Sequence, residues 1–215
     1  MSVFAPRQAA FAAAGVAVAA LGIGVWYAFL APRGADAFAE CRETTVAASS
    51  DVFGGPFELT DHTGARVTDA DVFSGPTLLY FGYTWCPDVC PFDVARMAEA
   101  TEVLEERGVE VTPVFVTVDP ERDDPESLSD FVWAHHPRMV GLTGTAEEIR
   151  VAASAWRVYY ARRGEEAEDY LVDHSTFTYL VDAEHGFLDV FRSDLDGGGS
   201  PEEMASRVQC YLERT

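Results

Sequence analysis

Tyr83-Thr84-Trp85-Cys86-Pro87-Asp88-Val89-Cys90-Pro91 stands at the end of the apolar run that begins at Thr77 and continues Leu78-Leu79-Tyr80-Phe81-Gly82. The run predicts a buried strand over 77–83. Pro91 and the residues after it predict a helix over 91–107, because proline suits a first helical turn that lacks partners for its N–H groups. Two thiols therefore fall at a strand-to-helix junction. The free N–H groups and partial positive charge of the helix start favour thiolate over thiol there. A thiolate pair so placed can cycle through a disulfide or hold a soft metal.

The spacing bears on that choice. Cys86 and Cys90 are at i and i+4, which puts both sulfurs on one helical face. The pair can still close to a disulfide, and it is also open enough to grip one ion; soft thiolates select Cu(I) and suit zinc. Two thiolates leave a ligand short. Of the five histidines, His174, in Tyr170-Leu171-Val172-Asp173-His174-Ser175, is the candidate third ligand. It sits just before a strand, where a thioredoxin would place a cis-proline loop against its cysteines. His62, His135, His136 and His185 are assigned surface roles. No Cys-x-x-Cys-His run exists, which excludes covalent haem attachment on that motif.

Outward from the cysteines, Phe57-Glu58-Leu59 and Arg66-Val67 around the turn at Asp61-His62-Thr63-Gly64 predict a short hairpin. In helix 91–107, Val94, Met97, Ala98, Thr101 and Leu104 share a face. A second apolar strand is predicted over 111–118. Asp124-Pro125 opens a helix with Leu128, Phe131 and Val132 inward. Thr145-Ala146-Glu147-Glu148 is a capping box for a helix with Ile149, Ala152 and Trp156 on one face. Residues 159–172 are polar and expected to be irregular. Strands over 175–181 and 187–191 form a hairpin, and Ser200-Pro201-Glu202-Glu203 caps a last helix with Met204, Val208, Tyr211 and Leu212 inward. The order β-α-β-α(α)-β-β-α, with reactive cysteines after the first central strand, is the thioredoxin-like α/β architecture with an N-terminal β-hairpin extension.

Net charge is −21, and all 36 acidic residues lie at or beyond Asp36. So acidic a domain repels nucleic acid and anionic lipid, which argues against both as partners, and suits cationic partners or metal cations. The N-terminal segment is the opposite. Residues 8–31 carry no charge, and 9–30 would span about 33 Å as a helix, enough to cross a bilayer. Trp26 and Tyr27 near its far end suit the interface. Its apolar core exceeds that of a cleaved signal, so residues 1–31 are expected to be one transmembrane anchor, 32–53 a tether and 54–215 the folded domain. The chain is expected in the bacterial inner membrane, single-pass, facing the periplasm. In such an oxidising compartment Cys41 and Cys210 are expected to be bridged within the chain; two buried thiols, or a bridge to a partner, are the alternatives.

Phe81-Gly82-Tyr83-Thr84-Trp85-Cys86-Pro87-Asp88-Val89-Cys90-Pro91, Val116-Thr117-Val118-Asp119-Pro120-Glu121-Arg122-Asp123, and Asp173-His174-Ser175 with Tyr179-Leu180-Val181-Asp182 together resemble the Sco/SenC family over about residues 54–192. The resemblance implies a membrane-tethered thioredoxin-fold copper chaperone of cytochrome c oxidase assembly. Its cargo, Cu(I) or Cu(II), would go to the binuclear copper centre of oxidase subunit II. By matching position, Cys86, Cys90 and His174 are similar to that family's copper ligands, and Asp119 to a nearby supporting acid. Trp85 stands where phenylalanine is common. Other periplasmic copper chaperones or thiol reductants would be further partners. The alternative on the same residues is a thiol–disulfide reductase that keeps the oxidase subunit's cysteines reduced; Cys86 and Cys90 would then be its redox pair, and His174 would be dispensable.

Overall fold

Thr77–Gly82 is strand β3, buried at every position, as an unbroken apolar run requires of a strand covered on both faces. The computed structural model describes residues 21–22, 26, 37–42, 52–164, 170–193 and 198–215. Met1–Ala39 and Glu40–Thr215 are separate compact units, and the fold is that of the second. Among the described residues no helix is long and apolar enough to cross a membrane. All of the expected anchor except Leu21, Gly22 and Trp26, and most of the expected tether, lie outside them.

Strands β1 (Glu58–Asp61) and β2 (Arg66–Thr68) form the N-terminal hairpin, followed by a one-turn helix α1 (Asp69–Val72). After β3 come α2 (Val89–Glu106), β4 (Thr112–Thr117), α3 (Pro125–His135), β5 (Val140–Thr143) and α4 (Ala146–Ala155). Then come β6 (Tyr160–Arg163), β7 (Leu171–His174), β8 (Thr178–Asp182), β9 (Gly186–Phe191) and α5 (Pro201–Leu212). Seven strands form one sheet in the order β2-β1-β5-β4-β3-β8-β9; β6 and β7 make a separate two-stranded ribbon. β3, β4 and β5 run parallel, with Leu79 opposite Val114 and Val116 opposite Leu142. The pairs β1–β5, β3–β8 and β8–β9 are antiparallel. This is the expected thioredoxin-like α/β fold, and the N-terminal hairpin joins its sheet through β5.

Two parts of the expectation are corrected. β5 was not anticipated. It has four residues with Gly141 second, a poor strand pattern. The glycine is dictated from outside the strand: a Cβ there would stand 3.0 Å from Val132 Cγ1 and 3.2 Å from Leu128 Cβ, so α3 can lie on the sheet only over a bare backbone. The stretch 159–172, expected to be irregular, contains all of β6 and the start of β7. Apart from the buried Val172, their residues are half exposed or exposed, because the ribbon strands pair only with each other and need no regular apolar alternation.

Of helices α1 to α5, four are capped by a side chain: Thr68, Asp124, Thr145 and Ser200 each accept an N–H of the first turn. The boxes expected at Thr145 and Ser200 are both present. Only α2 has no side-chain cap at its N-cap, Asp88. At the other end of the fold Cys41 and Cys210 are joined by a disulfide, with Cα atoms 5.7 Å apart. The bridge lies within the chain and ties residue 41 to α5.

Candidate metal centre

The uncapped end of α2 is where the cysteines lie. Cys90 is in its first turn, and its backbone N–H points at Cys86 Sγ, 3.5 Å away. A sulfur thus stands where the other helices place a capping oxygen. Cys86 is held there by its own N–H, which donates to the Tyr83 carbonyl at 3.2 Å. The approach loop is fixed from below by Asp123. Its carboxylate accepts from the Thr84 N–H (3.0 Å), the Thr84 hydroxyl (2.5 Å) and the Thr117 hydroxyl (2.6 Å). Asp123 is wholly buried. Burial raises its pKa, and the Thr117 and Thr84 hydrogen bonds work against that rise.

His174 ends β7. Its Nδ1 is 2.9 Å from the Ser175 carbonyl oxygen, an atom that can only accept. Nδ1 therefore carries the proton, and the lone pair of Nε2 is turned outward, 3.1 Å from Cys90 Sγ. This is the tautomer a metal-ligating imidazole needs, oriented by its second nitrogen. The rings of Tyr80 and Tyr83 stand edge-on to the imidazole at 6.1 and 5.8 Å. The Tyr83 hydroxyl accepts the Val172 N–H at 3.3 Å.

The ligand atoms of Cys86, Cys90 and His174 lie within 4.8 Å of one another, and among the described residues no other group of three or more such side chains forms. Both thiols are buried and unbridged. They share one proton. The Cys90 hydrogen bond above all lowers the Cys86 pKa to about 3 against the upward pull of burial. Cys90 is raised, by burial first and then by the neighbouring Cys86 sulfur. The pair is thus a thiolate beside a thiol, with the imidazole Nε2 facing it. It is soft and loses one proton on metallation.

Several supporting residues carried no sequence signal of their role. Gly82 leaves room for a sulfur: a Cβ there would be 2.9 Å from Cys90 Sγ and from Tyr80 Cε1. Behind the cysteines, Asp93 is fully buried and accepts from the Tyr80 hydroxyl (3.2 Å) and the Ser193 hydroxyl (3.0 Å). Asp119, expected as a supporting acid, stays outside the ligand group. One of its oxygens accepts the Tyr170 hydroxyl at 2.6 Å, and the other pairs with Arg122. His136 corrects the surface assignment. It is 2% exposed, accepting the Arg138 N–H at Nδ1 (3.2 Å) and facing Glu105 with Nε2 (3.3 Å).

The SCO1/SenC family model matches residues 45–213. Protein SenC of Rhodobacter capsulatus is 47% identical over 207 residues, 96% of this chain and 91% of that protein. The human mitochondrial SCO1 homolog is 40% identical over 167 residues, 76% of this chain but 56% of its own length. The chain spans about half the length of such mitochondrial relatives. Arabidopsis thaliana ScoI, solved with copper bound, superposes with a TM-score of 0.69 at 39% identity, over 75% of this chain and 99% of that one. BsSco, described as a member of the Sco family of cytochrome c oxidase assembly proteins, shares the fold at a TM-score of 0.57 and 24% identity, over 74% of this chain and 94% of that one.

Proposed function

The chain belongs to the SCO1/SenC family, and from that premise we propose that it is a copper chaperone of cytochrome c oxidase assembly. One copper ion is its cargo, held by Cys86, Cys90 and His174. The observation that carries this reading is the convergence of two sulfurs and a correctly tautomerised Nε2 within 4.8 Å. Cys86 meets the metal as a thiolate already, and Cys90 gives up its proton as the metal arrives. Cu(I) is satisfied by the two sulfurs; Cu(II), which prefers higher coordination, draws on the imidazole. The cargo is destined for the binuclear centre of oxidase subunit II. Residues 1–31 hold the domain at the periplasmic face of the inner membrane, where tethering raises its effective concentration at a membrane-bound target. Membrane fractionation with N-terminal sequencing checks the anchor; a soluble periplasmic chain that begins beyond residue 39 would contradict it.

A disulfide between Cys86 and Cys90 consumes both anionic ligands, so the redox state of the pair gates loading. Copper retention is to be measured alongside a count of thiols by alkylation and mass spectrometry. One copper per chain is expected with two free thiols at these positions and none with zero. Equal retention in both states would contradict the assignment.

The low pKa of Cys86 favours a second reading, thiol–disulfide reduction. The Cys86 thiolate would attack a target disulfide and Cys90 would resolve the mixed disulfide. The target would leave as two thiols and the pair as a disulfide, to be restored by an external thiol reductant. That reaction does not need His174, so His174→Ala separates the two.

A further inference from the structure

His174 reaches the cysteines on the β6–β7 ribbon, which shares no strand pairing with the seven-stranded sheet that carries Cys86 and Cys90. The nearest main-chain tie to that sheet is Thr178 of β8, opposite Tyr80 and four residues beyond His174. On the other side of His174 side chains make the connection, and one group joins the segments concerned. The Arg122 guanidinium lies 3.7 Å from the Tyr170 ring centre, 5.7 Å from that of Tyr83 and 5.9 Å from that of Trp85. Tyr83 and Trp85 belong to the cysteine loop, and Tyr170 enters β7 four residues before His174. Arg122 also pairs with Asp119, which is buried and receives the Tyr170 hydroxyl at 2.6 Å. Arg162 stacks on Tyr170 as well, at 3.6 Å. Two guanidiniums this close to one ring centre must lie on opposite faces. The ring is clamped between Arg162 of the ribbon and the half-buried Arg122 of the loop after β4.

We propose that Arg122, with Asp119 and Tyr170, is a clasp that positions His174 against the cysteine pair and so tunes the copper site without touching the metal. The inference rests on the copper reading above. A planar, delocalised cation is needed for it, since an ammonium cannot stack on three rings while pairing with a carboxylate. The clasp acts more on the histidine than on the sulfurs, because Cys86 and Cys90 are also placed by α2 and, through Thr84, by Asp123. Its loss should thus be felt where imidazole matters, in Cu(II), and little in Cu(I), which two thiolates satisfy.

The test uses the full-length reduced protein with Arg122→Lys, Tyr170→Phe and His174→Ala. Cu(II) affinity, the thiolate-to-Cu(II) charge-transfer band, the EPR spectrum, Cu(I) affinity by competition and the melting point of the metal-free protein are measured. Arg122→Lys is expected to weaken Cu(II) about 10- to 100-fold, the range for an outer-shell partner, with a changed spectrum and Cu(I) affinity within about threefold of wild type. Tyr170→Phe keeps the stacked ring and removes only the hydroxyl; it should move the same readouts in the same direction by less. It decides the matter if Arg122→Lys does not fold. Folded variants with wild-type Cu(II) affinity and spectrum would overturn the clasp, and so would equal losses for Cu(I) and Cu(II). If His174→Ala abolishes the Cu(II) signature while the clasp variants keep it, the clasp alone fails. If His174→Ala also leaves Cu(II) unchanged, the copper reading fails with it.

Discussion

The chain holds two pairs of cysteines with opposite fates. Cys41 and Cys210 are 169 residues apart and bonded; Cys86 and Cys90 are four apart, both buried, and not bonded. The first pair has an arginine for company: Arg214 Nη1 lies 3.1 Å from Cys210 Sγ and its other nitrogen 3.0 Å from Glu40. No imidazole lies beside it, and among the described residues it belongs to no metal-ligating group. It fastens a loop to a helix. The second pair has a helix N-terminus, a histidine lone pair and a glycine that makes room for sulfur. Cys41, Cys86 and Cys90 are all buried and Cys210 is partly so, so what separates a staple from a reactive centre is chiefly the donors and acceptors arranged around the sulfurs.

The sharpest way to break this comparison is to exchange the damage. Cys86→Ala or Cys90→Ala is expected to abolish tight copper binding, while the double variant Cys41→Ser, Cys210→Ser should keep wild-type affinity within about twofold. Loss of copper on removing the Cys41–Cys210 bridge would mean that the pairs are coupled. That bridge should instead register in stability. Closing so long a loop contributes up to about 5 kcal/mol in the chain-entropy account. In a domain of this size about 1 kcal/mol moves the melting midpoint by about 2–4 °C. Calorimetry of the double variant reads the shift, and an unchanged midpoint would remove the staple.

A smaller effect concerns protons. With its pKa lowered to about 3, Cys86 remains a thiolate from pH 8 down to pH 5, whereas an ordinary thiol loses reactivity about tenfold per unit below its pKa. Iodoacetamide labelling of the reduced protein should therefore fall on Cys86 before Cys90, with a rate that changes less than about threefold between pH 5 and 8. A rate that climbs tenfold per unit would place the thiolate elsewhere.

The centre was legible in the sequence because its chemistry is local: two thiols at i and i+4 after a buried strand, and one histidine before another. The fold was legible where long apolar runs, or the capping boxes at Thr145 and Ser200, marked an element, while the box of Thr68 and Asp71 that opens the one-turn α1 went unread. The misses share a cause. β5 is hidden by Gly141, a residue chosen by α3 packing on the strand rather than by the strand itself. β6 and β7 are hidden because a ribbon outside the main sheet buries only Val172 and so writes no regular apolar alternation into the sequence. His136 looks like a surface residue until Arg138 and Glu105 are seen to satisfy it. Gly82, Asp123 and the Arg122 clasp act on residues distant in sequence or across a packed layer, and no spacing rule reaches them.

The most direct measurement of the central claim is an anaerobic titration of the reduced protein with Cu(I) and with Cu(II), for wild type and His174→Ala. The account expects one copper per wild-type chain in either oxidation state. In His174→Ala, Cu(II) affinity should fall steeply and its spectrum change, while Cu(I) is largely retained by the two sulfurs. A His174→Ala protein whose Cu(II) affinity and spectrum match the wild type would take the histidine out of the site and leave the thiol–disulfide reading in its place.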